Sequence, residues 1–171
     1  MRPFHAIVPL SLMLACASPP TPAVPGDIAA SYASAGRHEE ASRAIELAIR
    51  VRPDDLMLRR QGARIHAEAG HTESAIGHLE EAIRLAPRDA ALWVDLGDIE
   101  RGRENIADAY VAYRRAAKLE PNDLRAVSGL ALTAEDLGFS DEASEAYARW
   151  SELKLTGAAN PPMSPAKLDL H

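Results

Sequence analysis

The chain has 171 residues, 47% of them hydrophobic, 26% charged and only 5% aromatic, with a formal net charge of −6. That length suffices for one ordinary domain, and a hydrophobic fraction carried by alanine and small aliphatics rather than aromatics is a helical composition. The acidic balance offers no electrostatic footprint for nucleic acid, and no apolar run reaches the roughly 18 residues of a membrane span.

Residues 1–17, MRPFHAIVPLSLMLACA, place one arginine near the start, an apolar stretch from Ala6 to Ala15, and small residues after it. This is the layout of an export signal. The single cysteine, Cys16, closes the segment. The run Met13-Leu14-Ala15-Cys16 resembles a bacterial lipobox, with Met13 where Leu is usual. The resemblance implies that the Cys16 thiol is acylated and that Cys16 begins a mature lipoprotein attached to the membrane by its lipid alone. Ala15-Cys16-Ala17 also reads as an ordinary cleavage site, which would discard the cysteine. In either case the product is exported and, with at most one cysteine, forms no internal disulfide. Ala17 stands where inner-membrane retention in enterobacterial lipoproteins is associated with Asp. The expected location is therefore the periplasmic side of the outer membrane, or the soluble periplasm if the lipid is absent. Residues 18–25, SPPTPAVP, hold four prolines and predict a semi-rigid extended spacer.

The repeat region spans 26–155. Pro53, Pro87 and Pro121 recur at a fixed period of 34 residues, and each is followed by residues able to cap a new helix: Asp54 and Asp55, Asp89, Asn122 and Asp123. Four units of about 22–55, 56–89, 90–123 and 124–157 follow. The first has Ile28, Ala29, Tyr32, Ala41, Ile45 and Ala48, with Asp27 as an expected cap, Gly36 ending its first helix and a second helix from His38 to Val51. The second has Ala63, Ala75, Leu79 and Ala82, with Gly70 as the break and Thr72 as an expected cap. The third has Trp93, Leu96, Gly97, Ala109, Tyr113 and Ala116. The fourth has Leu130, Ala131, Ala143 and Tyr147, with Gly138 as the break, Ser140 and Asp141 as expected caps, and a last helix to about Leu153. It departs from the pattern at Trp150, where a small residue is usual, and at Leu155, where Pro is expected. Residues 156–171 carry three prolines without a sustained period and are expected to be disordered.

This pattern resembles the tetratricopeptide repeat, with its Trp-x-x-Leu-Gly, a later Ala-x-x-x-Phe/Tyr-x-x-Ala and a closing Pro. The resemblance implies an all-α fold, a right-handed superhelical solenoid of about four helical hairpins. Physical reasoning agrees: small residues let antiparallel helices approach while Tyr32, Leu79, Tyr113 and Tyr147 fill the space between them. A single hairpin cannot bury its apolar stripe, so neighbours must stack. The resemblance further implies a concave groove lined by the first helix of each hairpin, which binds a protein or peptide partner. By repeat position its candidate residues are Met57, Arg60, Gln61 and Arg64, then Val94, Asp95, Asp98 and Arg101, then Arg125, Ser128, Leu132 and Glu135. These read as a basic patch beside an acidic one. The clamp by which chaperone-binding members hold a C-terminal carboxylate is absent, since Gly26, Ala30, Gln61, Ala91 and Asp95 occupy its places. Trp150, with Tyr147 and Leu153 at helical spacing, either packs inward or offers a docking edge for a partner or a second copy.

Nothing in the sequence points to catalysis, a cofactor or a metal. His66 falls where Tyr32 falls one period earlier and reads as a packing residue, while His38, His71 and His78 read as loop or exposed positions. No His pair has the HExxH spacing, and no glycine loop can cradle phosphate. The expectation is a non-catalytic interaction adaptor of the bacterial cell envelope, pilotin-like in pilus or secretion assembly. The alternatives are a recognition subunit of an envelope enzyme complex and a soluble periplasmic scaffold.

Overall fold

A computed structural model describes residues 25–157. The export signal with Cys16, the spacer up to residue 24 and the tail beyond residue 157 lie outside the described residues. Within them the chain forms eight helices: α1 (Pro25–Ser34), α2 (His38–Val51), α3 (Leu56–Glu68), α4 (Thr72–Leu85), α5 (Ala90–Gly102), α6 (Ile106–Leu119), α7 (Leu124–Asp136) and α8 (Ser140–Thr156). Consecutive pairs make four antiparallel hairpins, and the hairpins stack into an all-α helical repeat solenoid.

Two kinds of junction alternate along the stack. After each proline, an aspartate caps the next helix: Asp55 accepts from the N–H of Met57 and Leu58, Asp89 from Ala91, and Asp123 from Arg125 and Ala126. Each cap satisfies donors that the first helical turn leaves free. Within a hairpin the turn works differently. Gly36, Gly70 and Gly138 take left-handed φ values of 70°, 79° and 77°, and Glu104 takes 62° at the same place in the third hairpin. The next N–H then reaches back to the preceding helix, from Arg37 to Tyr32, His71 to His66, Asn105 to Glu100 and Phe139 to Ala134. These bonds fix the turn without side-chain caps. Thr72 and Ser140 are consequently the first residues of α4 and α8 rather than caps, and Asp27 lies inside the first turn of α1. The last helix runs past Leu153 to Thr156 before Gly157 ends it at φ 64°.

The odd-numbered helices form the inner layer of the curve. α1 touches α3 and α5 touches α7, whereas the even-numbered helices do not approach one another to that degree. Closer approach on one side is what bends a stack of hairpins. The approach of α5 to α7 depends on glycine. The ring of Tyr113, on α6 and 1% exposed, lies against both Gly97 and Gly129, and a Cβ at Gly97 would sit 2.9 Å from two of its ring carbons. At Gly129 the overlap would be worse. The Tyr113 hydroxyl donates to Asp98 Oδ1 at 2.5 Å. Burial first, then the Asp98 carboxylate, push its pKa up to about 12. At the C-terminal end Leu153 is buried, Tyr147 donates to Glu135 Oε2 at 2.6 Å, and the Lys154 ammonium covers the half-buried Trp150 ring at 4.5 Å. Trp150 is thus partly buried, with Lys154 of its own helix over its ring.

Glycine to alanine in a helix ordinarily stabilises by up to about 1 kcal/mol. Gly129→Ala is expected to reverse that sign and lower unfolding free energy by about 1–3 kcal/mol in denaturant melts, because the added Cβ overlaps the buried Tyr113 ring. A raised folded-state pKa means that Tyr113 contributes stability fully below its unfolded value. That contribution is lost as pH rises through about 10 towards about 12. Urea melts of wild type and Tyr113→Phe across this range should converge at the alkaline end by about 2–3 kcal/mol; a constant gap would contradict the assigned burial.

Candidate functional site

Between α3 and α5 the inner layer opens. Here the odd-numbered helices do not meet as α1 and α3 or α5 and α7 do, and a cleft of about 580 Å³ lies between them. Its floor is apolar, from Ala63, Ala67, Leu79 and Ile99, and its rim is polar, from Arg60, Gln61, Arg64, Asp95 and Asp98, with Met57 at the lip. The pattern follows from helical spacing. Met57, Arg60, Gln61, Arg64 and Ala67 share one face of α3, while Leu58, Gly62, Ile65 and His66 are buried on its other sides.

The predicted groove residues divide accordingly. Met57, Arg60, Gln61, Arg64, Asp95 and Asp98 come together at the cleft. Val94 does not: it is 1% exposed and packs with Ala109, Tyr113, Ala116 and Ala126. Its neighbour Asp95 takes the inward-facing position instead, a shift of one residue and hence of about 100° around the helix. Arg101, Arg125, Ser128, Leu132 and Glu135 do not line this cleft. Glu135 is engaged by Tyr147, and the Ser128 hydroxyl donates to the Arg125 carbonyl at 3.2 Å.

The rim charges form pairs rather than two separate patches. Arg60 Nε donates to Asp95 Oδ2 at 2.9 Å across the cleft from α3 to α5. Arg125, from α7, reaches both Asp95 and Asp98, and Asp98 also holds Tyr113. Gln61 is tied to the Gly26 carbonyl at 2.9 Å. A ligand therefore meets an apolar floor bordered by a nearly neutral rim, where Arg60 and Asp95 are only partly buried and exchange partners at small cost.

A second polar cluster lies beside the first repeat. Glu46 on α2, His66 on α3 and His78 on α4 converge: Glu46 Oε1 is 3.0 Å from His66 Nε2 and 2.9 Å from His78 Nε2. His66 and His78 are 5% and 7% exposed. His78, expected on an exposed face, is thus buried. Space for its ring comes from Gly62, where a Cβ would sit 3.2 Å from His78 Cδ2 and 2.9 Å from Ile49 Cδ1. The repeat register contains the signal. At these two places the other hairpins have Ile28 with Ala44, Leu96 with Ala112 and Leu130 with Ala146. Only the second pairs a glycine on its first helix with a large polar residue on its second. Burial, then the His78 imidazole, push the His66 pKa down. Partial burial alone would raise the Glu46 carboxyl, but hydrogen bonds and charge from His78 and His66 outweigh it and hold that carboxyl below the usual range.

Comparison with known proteins agrees with the repeat geometry. Residues 28–94 match the tetratricopeptide repeat family. A 62-residue stretch is 36% identical to the human (Homo sapiens) PEX5-related protein, covering 36% of this chain and 10% of that protein's length. Among solved structures, the crystal structure of MamA aligns with TM-score 0.73 and 19% identity over 78% of each chain. MamA residues 41 to the end from Desulfovibrio magneticus RS-1 aligns with TM-score 0.70 and 20% identity over 77% of this chain and 75% of that one. These structural likenesses concern the fold. The family match spans the first two hairpins, so residues 28–94 are tetratricopeptide repeats, and the third and fourth hairpins continue their 34-residue register.

Proposed function

We propose that this protein is a non-catalytic adaptor of the bacterial cell envelope that holds a protein or peptide partner in the cleft between α3 and α5. The cleft carries this reading. It is the inner-face opening of a repeat family that implies protein binding, and its apolar floor with a hydrogen-bonding rim suits one or two apolar anchor side chains of a peptide. Opposing charges on the peptide would exchange with the Arg60–Asp95 pair. Its place at the envelope rests on the lipobox-like run ending at Cys16, with the proline-rich spacer holding the repeats off the membrane. A lipid-anchored escort of a pilus or secretion subunit, pilotin-like, fits that layout.

Two measurements test the parts separately. Intact mass of the protein expressed with its own N-terminus in a Gram-negative host is expected to give a chain beginning at Cys16 with added diacylglyceryl and acyl mass. A lipid-free chain beginning at Ser18 would refute the anchor and leave a periplasmic scaffold. For the cleft, Ala67→Trp fills the apolar floor, whereas Ala107→Trp places the same bulk on exposed α6 in the outer layer. Crosslinking in membranes is expected to lose the partner by about tenfold or more with the first variant and to retain it with the second. Equal capture by both, with unchanged helicity, would place the binding surface elsewhere.

A further inference from the structure

We propose that Glu46, His66 and His78 form a binding site for a divalent transition-metal cation of the Zn2+ class, tying the first repeat to the second. The donor atoms lie within 4.8 Å of one another and come from three helices, α2, α3 and α4. Ligands on a tetrahedral zinc stand about 3.3 Å apart. The observed separations of 3.0 Å and 2.9 Å from Glu46 Oε1 to the two Nε2 atoms therefore need to widen by only a few tenths of an ångström, on a carboxylate that is 38% exposed. Two imidazoles and one carboxylate form a mixed nitrogen and oxygen set, which suits late first-row divalent ions over Mg2+ or Ca2+.

The surroundings supply the supports such a site needs. With a metal on His66 Nε2, the proton sits on Nδ1, which faces His71 Nδ1 at 3.4 Å. His71 Nε2 in turn faces Glu39 Oε1 at 3.3 Å. This carboxylate–histidine–histidine chain fixes the ring and tautomer of a ligating histidine. A surface cleft of about 420 Å³, lined by Glu39, Glu46, His66 and His71 among others, gives an ion a route from solvent. Ser42 lines the same cleft, and its hydroxyl is buried without a hydrogen-bond partner; it stands ready to hold a water on the open coordination position. One contact opposes binding. Arg59 Nη1 lies 3.4 Å from His78 Nδ1, which must carry a proton when Nε2 is metal-bound. Arg59 is already anchored through Nε to the Pro53 carbonyl at 2.9 Å, so that long second contact is the part given up. Arg43 and Arg50 also line the cleft and moderate the affinity.

The test is calorimetric titration of the full chain, stripped with EDTA, with ZnCl2 as the probe. Wild type is expected to bind one Zn2+ and to gain about 5 °C in melting midpoint at saturation. His78→Gln and Glu46→Gln should each weaken binding at least tenfold, and His71→Ala by about 10–100-fold through the outer shell. Glu46→Gln keeps a hydrogen-bond acceptor for both imidazoles, so its metal-free helicity should match wild type, separating ligand loss from misfolding. Absence of Zn2+ binding by wild type, or wild-type affinity in Glu46→Gln and His78→Gln, would overturn the site.

Discussion

Two helices can both close on one buried tyrosine ring only where neither presents a Cβ to it. That constraint is met at Gly97 and Gly129 around Tyr113, and the rest of the inner layer follows from it. Because α5 and α7 close on the ring, Asp98 is brought to the Tyr113 hydroxyl, and Arg125 of α7 is brought to Asp98 and Asp95. The acidic side of the cleft is thereby fixed in place from behind, before any ligand arrives. On the other side, α1 closes on α3 at Gly26, where a Cβ would meet Leu58 and Gln61. Two tight junctions on the inner face leave the middle one open, and the opening is the cleft.

The fold was legible because its determinants are periodic. Prolines, capping aspartates and small residues repeat at 34, so one well-marked unit, with Trp93, Leu96, Gly97 and Tyr113, indexes the weaker ones. The turn at Glu104 was less legible. Glycine marks that left-handed position in the other three hairpins, whereas here an ordinary residue is held there by the Asn105 N–H bond to the Glu100 carbonyl. Caps for the second helices are hidden in the sequence for a related reason. Ser and Thr near a glycine resemble caps, but the backbone bonds across the tight turn place His71 and Phe139 at the cap positions, one residue before Thr72 and Ser140.

At the site, helical periodicity identifies the stripe on α3 because its apolar and polar faces differ. On α5 the contrast fails. Val94 and Asp95 are adjacent, and only packing against Ala109 and Ala126 settles which of them turns inward. The pairing of Arg60 with Asp95 was equally hidden, since it depends on how far apart α3 and α5 stand. The polar cluster leaves no local mark in the sequence, because its histidines share no ligand spacing. They lie on different helices, and their meeting depends on Gly62 making room for a ring. Comparison of positions across hairpins shows the exchange of sizes that permits it, a long-range signal that a scan for ligand motifs does not detect.

α3 connects the two sites. One face carries Met57, Arg60, Gln61 and Arg64 to the cleft, and an adjoining face carries Gly62 and His66 towards α2 and α4. Any group that fixes His66 against Glu46 and His78 therefore fixes the position of α3 relative to its own hairpin partner and to the first repeat. The opposite wall of the cleft, α5, packs on α4 through Leu92, Leu96 and Ile99 and is held from behind by Tyr113 and Arg125. The width of the cleft then depends mainly on where α3 stands, with the partly exposed Arg60–Asp95 pair as the only ion pair crossing it among the described residues. A cation at the histidine cluster and a peptide in the cleft would act on the same rigid helix from two sides. By linkage, whatever preference one shows for a position of α3 is returned to the other.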